Sequence, residues 1–337
     1  MTIALRGRQD GIAIQYGKIA SRFSGLRLER FAGRRPSLPT AICVKEMDPE
    51  NSPLYVQSLA SGIAVLSVFD AERRAMSLPE IAAAAGISKS AAQRFAFTLE
   101  AAGFLVKDPV SKRYALSSLN MDAGYRYLQS HPVLERANPY LLELHRAARE
   151  TVNLAERAGL DMIYIARFPS LVRSIAHMPI GRRLPIYCSS TGRAYLSGLP
   201  EDQAYALLEA SDRIRFTPQT VTDIDELMQL VAQAREQGFA YANNEYFRGD
   251  LALAVPIYDV AGHPVAAVNV SVAASDWTLK KATDRFVSTM QDTARLISTT
   301  PPSPHSLAPF RLGNSATPLS TEELPAQTPR RRVTRDR

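Results

Sequence analysis

Lys89, Ser90, Gln93, Arg94 and Phe97 recur at helical spacing just after Ser88, and most of them end in hydrogen-bonding groups. On the outward side of a helix such a set can read DNA. Arg or Lys bonds guanine O6 and N7, Gln bonds adenine N6 and N7, and serines at a helix start hold phosphates. A second set lies further along. Ser189, Ser190, Thr191 and Gly192 open a helical stretch, so their amides and hydroxyls can receive an anion, with Arg193 close by. Arg173, just before an apolar run, can grip a carboxylate with both arms of its guanidinium, and Asn269 and Ser271 share one face of a strand. The ligand this second set expects is a small carboxylate. Plainer readings stand beside each: solvated surface for the first set, helix capping for the serines, an exposed helix position for Arg193, and a polar turn for Asn243, Asn244 and Glu245.

The first set needs a scaffold, and residues 77–116 read as one. Ser77 begins a capping box with Glu80, and Pro79 sits in the first turn, where a missing N–H costs nothing. Leu78, Ile81, Ala82 and Ala85 fall on one face, and Gly86 supplies the left-handed stop. Ser88 then caps a second helix, whose Ala91, Ala92, Phe95, Leu99 and Ala102 gather on the core side. After Gly103, residues 104–107 and 113–116 alternate as strands around Asp108 to Ser111. That wing places Lys107, Lys112 and Arg113 for phosphate contacts, with Ser77 and Ser88 at the two helix starts. A preceding helix, with Leu59, Ile63, Leu66 and Phe69 in one stripe, is expected to close a three-helix core.

Downstream, helices are expected at 121–130 and 132–149, then a hairpin of strands 151–158 and 162–168 turning at Gly159 to Asp161. A third strand is expected at 174–178, helices after Ser189 and at 201–210 and 223–237, strands at 239–243, 251–258 and 265–273, and a closing helix at 279–298. Hairpins interleaved with helices make the fold class α+β, with one antiparallel sheet backed by helices. The organisation read from this is a basic extension at 1–50, a winged helix-turn-helix at 51–117, a linker helix at 118–132, a sensor domain at 133–299 and a Pro-rich basic tail at 300–337. Neither end has the apolar content to build a core, and translation starting at Met47 is an alternative account of the first.

The net charge of +7 sits largely at the ends: residues 1–46 hold nine Lys/Arg against three Asp/Glu, and residues 300–337 hold six against three. The stretch between is slightly acidic, so the informative excess is local: Lys89, Arg94, Lys107, Lys112 and Arg113 against Glu100 and Asp108. Cys43 and Cys188 make no disulfide framework. No apolar run approaches the ~20 residues of a membrane span, and the start lacks a signal-peptide core. The expectation is a cytoplasmic protein with no membrane partner. Catalysis is the rival class, with Cys188 and His177 as nucleophile and base, but Cys188 reads better as a small buried filler. His131, His145, His263 and His305 lack zinc-ligand spacing, and there is no phosphate-cradling glycine loop. No catalytic residue, metal or cofactor is expected. A second rival is a sensor whose winged helix meets protein rather than DNA, with Phe97 as the anchor.

Three motifs on the DNA side, QSLASGIAVLSVF, the S-x-x-E-I-A helix and SKSAAQRF followed by T-L-E-x-x-G-F, resemble those of IclR-type transcriptional regulators. So do GRRLPIYCSSTGRAYL, G-F-A-x-x-N-N-E and AVPIYDVAGHPVAAVNVS, and the resemblance covers about Val56 to Ser298. It implies a GAF-like domain with an effector cavity on the concave face of its sheet, bordered also by Leu184, Cys188, Asn243 and Ala252. YCSSTGR and AAVNVS are similar to the branch controlling protocatechuate and 4-hydroxybenzoate catabolism, which implies an aromatic effector. Two departures border that cavity: Gly249-Asp250-Leu251-Ala252 stands where the branch has glycine-leucine-arginine-serine, and Thr191 where it has a smaller residue. A homodimer or dimer of dimers is then expected. The first helix and residues 121–130 would pair across a two-fold axis and set recognition helices about 34 Å, or a multiple, apart on partly palindromic double-stranded DNA.

Overall fold

The computed structural model describes residues 52–170 and 179–299, so Arg173, His177, the expected strand at 174–178 and both ends of the chain lie outside the described residues. The chain divides into two compact units, one ending at Tyr127 and one beginning at Leu128.

In the first unit α1 (Gln57–Ser67), α2 (Leu78–Ala85) and α3 (Lys89–Ala101) precede β1 (Leu105–Lys107) and β2 (Tyr114–Leu116). A single 3-10 turn, Ser118–Asn120, leads into α4 (Met121–Gln129). The capping box forms as its residues require: the Ser77 amide and hydroxyl donate to Glu80 Oε2 at 2.7 and 2.9 Å. Gly86 takes φ +67°, where a Cβ would strain the backbone, and Ser88 Oγ accepts from the Ala91 amide at 3.2 Å. The wing is antiparallel, with Leu105 opposite Leu116 and Lys107 opposite Tyr114.

The core of this unit corrects two expectations. It is built from Val65, Val68, Phe69, Met76, Ile81, Ala82, Ala92, Ala96, Leu105 and Tyr114, whereas Leu59 and Ile63 are 64% and 56% exposed. α1 carries apolar residues on two sides, and its period alone cannot say which one turns inward. On α3 the inward face is likewise rotated: Ala96 is fully buried and Ala102 is exposed. Alanines at 92 and 96 let neighbouring helices approach more closely than Phe95 or Leu99 would allow, and these two stay half-buried.

The second unit follows the α+β plan. α5 (Pro132–Ala148) leads to β3 (Thr151–Ala158) and β4 (Asp161–Phe168), then β5 (Arg183–Pro185), α6 (Ser190–Ser197), α7 (Glu201–Ala210) and α8 (Ile224–Gln237). β6 (Ala240–Asn243), β7 (Asp250–Tyr258), β8 (Pro264–Ala273) and α9 (Leu279–Thr299) complete it. The six strands lie in the order β5-β4-β3-β8-β7-β6, every neighbouring pair antiparallel. Strand alternation sorts two cores. Val152, Leu154, Val255, Val268 and Val270 face α5 and α9, while Ala155, Tyr164, Ala254 and Ala267 face α6, α7 and α8. The second face is lined by alanines, which brings α6 down close to the strands. β5 was not foreseen, because three residues are too few for alternation to show.

Candidate nucleic-acid interface and effector site

Lys89, Ser90, Gln93, Arg94 and Phe97 are all exposed, on the side of α3 away from Ala92 and Ala96. Ser88 and Ser90 share a hydroxyl contact of 3.0 Å at the helix start. Lys107 and Lys112 are exposed on the wing, the latter at φ +58° in a turn that Asp108 closes by accepting from the Val110 and Ser111 amides. Ser77 is only half exposed, its hydroxyl held by Glu80.

Arg113 does something other than expected. Its Nε and Nη2 donate to the Ala75 carbonyl at 3.1 and 2.9 Å, and Nη2 meets Glu80 Oε2 at 2.6 Å. The guanidinium therefore fastens the wing to the start of α2 instead of reaching outward for phosphate. Glu80's carboxyl is held below its usual range, first by the Ser77 amide and hydroxyl and then by Arg113. Arg113→Met is expected to cost about 1 kcal/mol in urea unfolding, as a half-exposed clamp should. It should also speed amide exchange at Tyr114, whose N–H donates to the Met76 carbonyl at 2.7 Å.

In the second unit the start of α6 is packed and internally satisfied. Ser189 Oγ accepts from the Gly192 amide at 3.1 Å and donates to the Pro185 carbonyl at 2.8 Å, which is capping. Ser190 and Thr191 are buried, and Thr191 Oγ1 meets no partner among the described residues. At Gly192 a Cβ would lie 2.0 Å from the Ile186 carbonyl oxygen, so its glycine serves close backbone approach. Arg193, expected to hold a ligand carboxylate, is 1% exposed and already holds one. Its Nη1 and Nη2 meet Glu245 Oε1 and Oε2 at 2.6 and 2.5 Å, and Nη1 also donates to the Tyr241 carbonyl at 3.0 Å. The plainer reading of Arg193 as an exposed residue fails too. Its buried partner is Glu245, which had been read as part of a polar turn.

Cys188 is fully buried and its thiol is pushed up to about 12 by burial, the state of a filler and not of a nucleophile. Leu184 is buried on β5 opposite Met162. Asn243 is exposed at the end of β6, opposite Leu251, with its Oδ1 accepting from Asn244 Nδ2 at 2.8 Å, so its amide meets a neighbour at the strand end and not a buried pocket.

The polar groups that do converge stand on the sheet face beneath α6. Asn269 on β8 lies directly opposite Asn153 on β3, and Asn153 Nδ2 donates to Asn269 Oδ1 at 2.9 Å with both residues 1% exposed. Arg167 Nη1 donates to Asn153 Oδ1 at 3.0 Å, and Tyr164 is buried on the neighbouring strand of the same face. Ser271 Oγ donates to the Asp250 carboxylate, and Ala252 lies opposite Ser271. Burial pushes the Asp250 carboxyl up to about 6, against the opposing pull of Ser271 and Arg167. Sequence reasoning named Asn269, Ser271 and Ala252, placed Asp250 at the cavity border as a departure from the related branch, and missed Asn153, Tyr164 and Arg167 as members. A signal for the first existed: Asn153 is a lone amide in the otherwise apolar stretch Val152 to Ala155. Together these groups form a patch of amide, hydroxyl and guanidinium donors around one shielded carboxylate, able to orient a small polar ligand.

Among the described residues no group of three or more His, Cys, Asp or Glu could hold a metal ion. No helix among them is long and apolar enough to cross a membrane. The family model for the bacterial transcriptional regulator IclR C-terminal domain matches residues 125–299, and that for the IclR helix-turn-helix domain matches residues 58–109. The chain is 32% identical over 236 residues to the Pca regulon regulatory protein of Pseudomonas putida, spanning 70% of this chain and 80% of that protein. It is 33% identical over 248 residues to the HTH-type transcriptional repressor AllR of Escherichia coli K12, spanning 72% and 89%. The crystal structure of an IclR transcriptional regulator from Alicyclobacillus acidocaldarius superposes with a TM-score of 0.64 at 26% identity, over 72% of this chain and 98% of that one. With both domain families matched in order, the second over more than half its length, this chain belongs to the IclR family of DNA-binding transcriptional regulators with a C-terminal effector domain.

Proposed function

We propose that this regulator controls an aromatic-acid catabolic operon, binding a partly palindromic operator in the cytoplasm as a homodimer or dimer of dimers. The observation that carries the DNA half is the exposure of Lys89, Ser90, Gln93 and Arg94 on one side of α3. Gln93 and Arg94 read base edges; Ser88, Lys107 and Lys112 hold phosphates. The apolar side of α1 left outside the core, Val56, Leu59 and Ile63, together with Met121 of α4, supports pairing across a two-fold axis. Residues 51–117 then form the reading head and 133–299 the sensor, with 118–132 between them.

The effector is a small aromatic acid held on the sheet face by Asn269, Ser271 and their neighbours Asn153, Tyr164 and Arg167. Similarity to the Pca regulon regulatory protein supports the aromatic part of this reading. Binding shifts the population of DNA-competent states, so operator must alter effector affinity by the same factor.

The test titrates the full chain on the DNA upstream of its own gene. Gln93→Ala and Arg94→Ala should each weaken binding about tenfold and relax specificity, while Lys112→Ala should weaken all sequences alike and reduce the salt slope by about 1. No retardation at low salt would defeat the DNA reading. Calorimetry against benzoate, 4-hydroxybenzoate and protocatechuate tests the sensor, with Asn269→Ala expected to abolish the heat of whichever binds; no heat from any of the three would defeat that half alone.

A further inference from the structure

Phe97 is 69% exposed, the most exposed Phe, Tyr or Trp among the described residues. By angle it lies between Gln93 and Arg94, about one turn further along α3. At about 100° per residue it projects roughly 40° from Gln93 and roughly 60° from Arg94, with Ser90 nearly in line with it. Ala92 and Ala96, both fully buried, lie roughly 140° and 100° away around the helix. A large apolar ring here gains nothing from water, and most of what a base pair shows in the major groove would gain nothing from it. N7, O6, N6 and N4 are donors and acceptors that lose their hydration against a ring without a bond in return. One apolar group is available in that groove, the 5-methyl of thymine. The charge around the ring chooses the partner class. Lys89 and Arg94 on the same helix and Lys107 and Lys112 on the wing are all exposed, the surroundings of a polyanion-binding surface.

We propose that Phe97 reads a thymine methyl group, fixing one T·A pair in each half-site beside the positions taken by Gln93 and Arg94. This rests on the DNA-binding reading above and adds a base preference that hydrogen bonding cannot supply. It also assigns Phe97 to the groove and not to a protein partner.

The experiment uses a duplex enriched by the full chain from a randomised pool, with each thymine replaced in turn by deoxyuridine, which differs only by the methyl. At one thymine per half-site, deoxyuridine should lower wild-type affinity about fourfold, the worth of one buried methyl group. Phe97→Ala should lose at least about fourfold on the thymine duplex and show no further loss on the deoxyuridine duplex, closing a double-mutant cycle. Because the ring is exposed, the variant should fold as the parent does, checked by circular dichroism. The proposal falls if no thymine methyl matters, or if Phe97→Ala keeps the full deoxyuridine penalty. It falls equally if Phe97→Ala binds DNA normally and instead changes the sedimentation behaviour of the chain. Failure to enrich any duplex would overturn the DNA-binding reading itself, and the proposal with it.

Discussion

Arg193→Met should lower the unfolding free energy by about 3–5 kcal/mol. The pair it breaks is sealed from water, with side-chain exposures of 1% for Arg193 and 6% for Glu245. Removing the cation leaves a carboxylate with the Val221 amide at 3.4 Å as its remaining polar neighbour. The surroundings cannot open to hydrate it, since the Thr220 hydroxyl holds the Glu245 carbonyl at 2.6 Å and Thr217 bonds Asn244 beside it. Removing both charges is a different experiment. Arg193→Met combined with Glu245→Leu should recover most of the loss, because an apolar pair of similar volume pays no desolvation penalty. Urea midpoints of the two variants decide it, and a single-variant loss under about 1 kcal/mol would show that water reaches the pair.

Asp250→Asn should stabilise the protein by about 2 kcal/mol at pH 7.5 and leave it unchanged near pH 4. The carboxyl titrates near about 6 when folded, against about 3.9 in an unfolded chain. A carboxyl shifted upward favours the folded state below the unfolded pKa, and that advantage disappears as pH rises through the folded one. Two units correspond to nearly 3 kcal/mol, which partial access of water to this side chain reduces. Carboxyls held low, such as Asp70 beside Arg73 and Glu80 at the capping box, push the whole protein's profile the other way. The quantity to measure is therefore the difference between variant and parent from pH 4 to 8. A difference that does not change with pH would mean that Asp250 is hydrated as an ordinary surface acid.

The reading head was legible in the sequence because its signals are local. Ser77, Glu80, Gly86 and Ser88 mark helix ends through bonds spanning three or four residues, and each marker does in the structure what its chemistry implies. Legibility stopped where a face had to be chosen by something distant. Leu59 and Ile63 satisfied the helical period and still lost the core to Val65 and Val68. Arg113 and Arg193 looked like free cations because their partners are 33 and 52 residues away in the chain. Asn153 and Asn269, 116 apart, meet only because β3 lies against β8. Strand order is not written in any short stretch, so a site assembled across four strands appears in the sequence as unrelated polar residues.

The fit of Gly192 against the Ile186 backbone has a consequence for anyone wishing to retune what this regulator senses. A library that randomises position 192 would return mostly dead clones, because any added side chain must displace main chain and not just a neighbour's tip. Within the site proposed above, Asp250 and Ser271 are better places for diversity, because neither is fully buried and they meet each other through side chains alone.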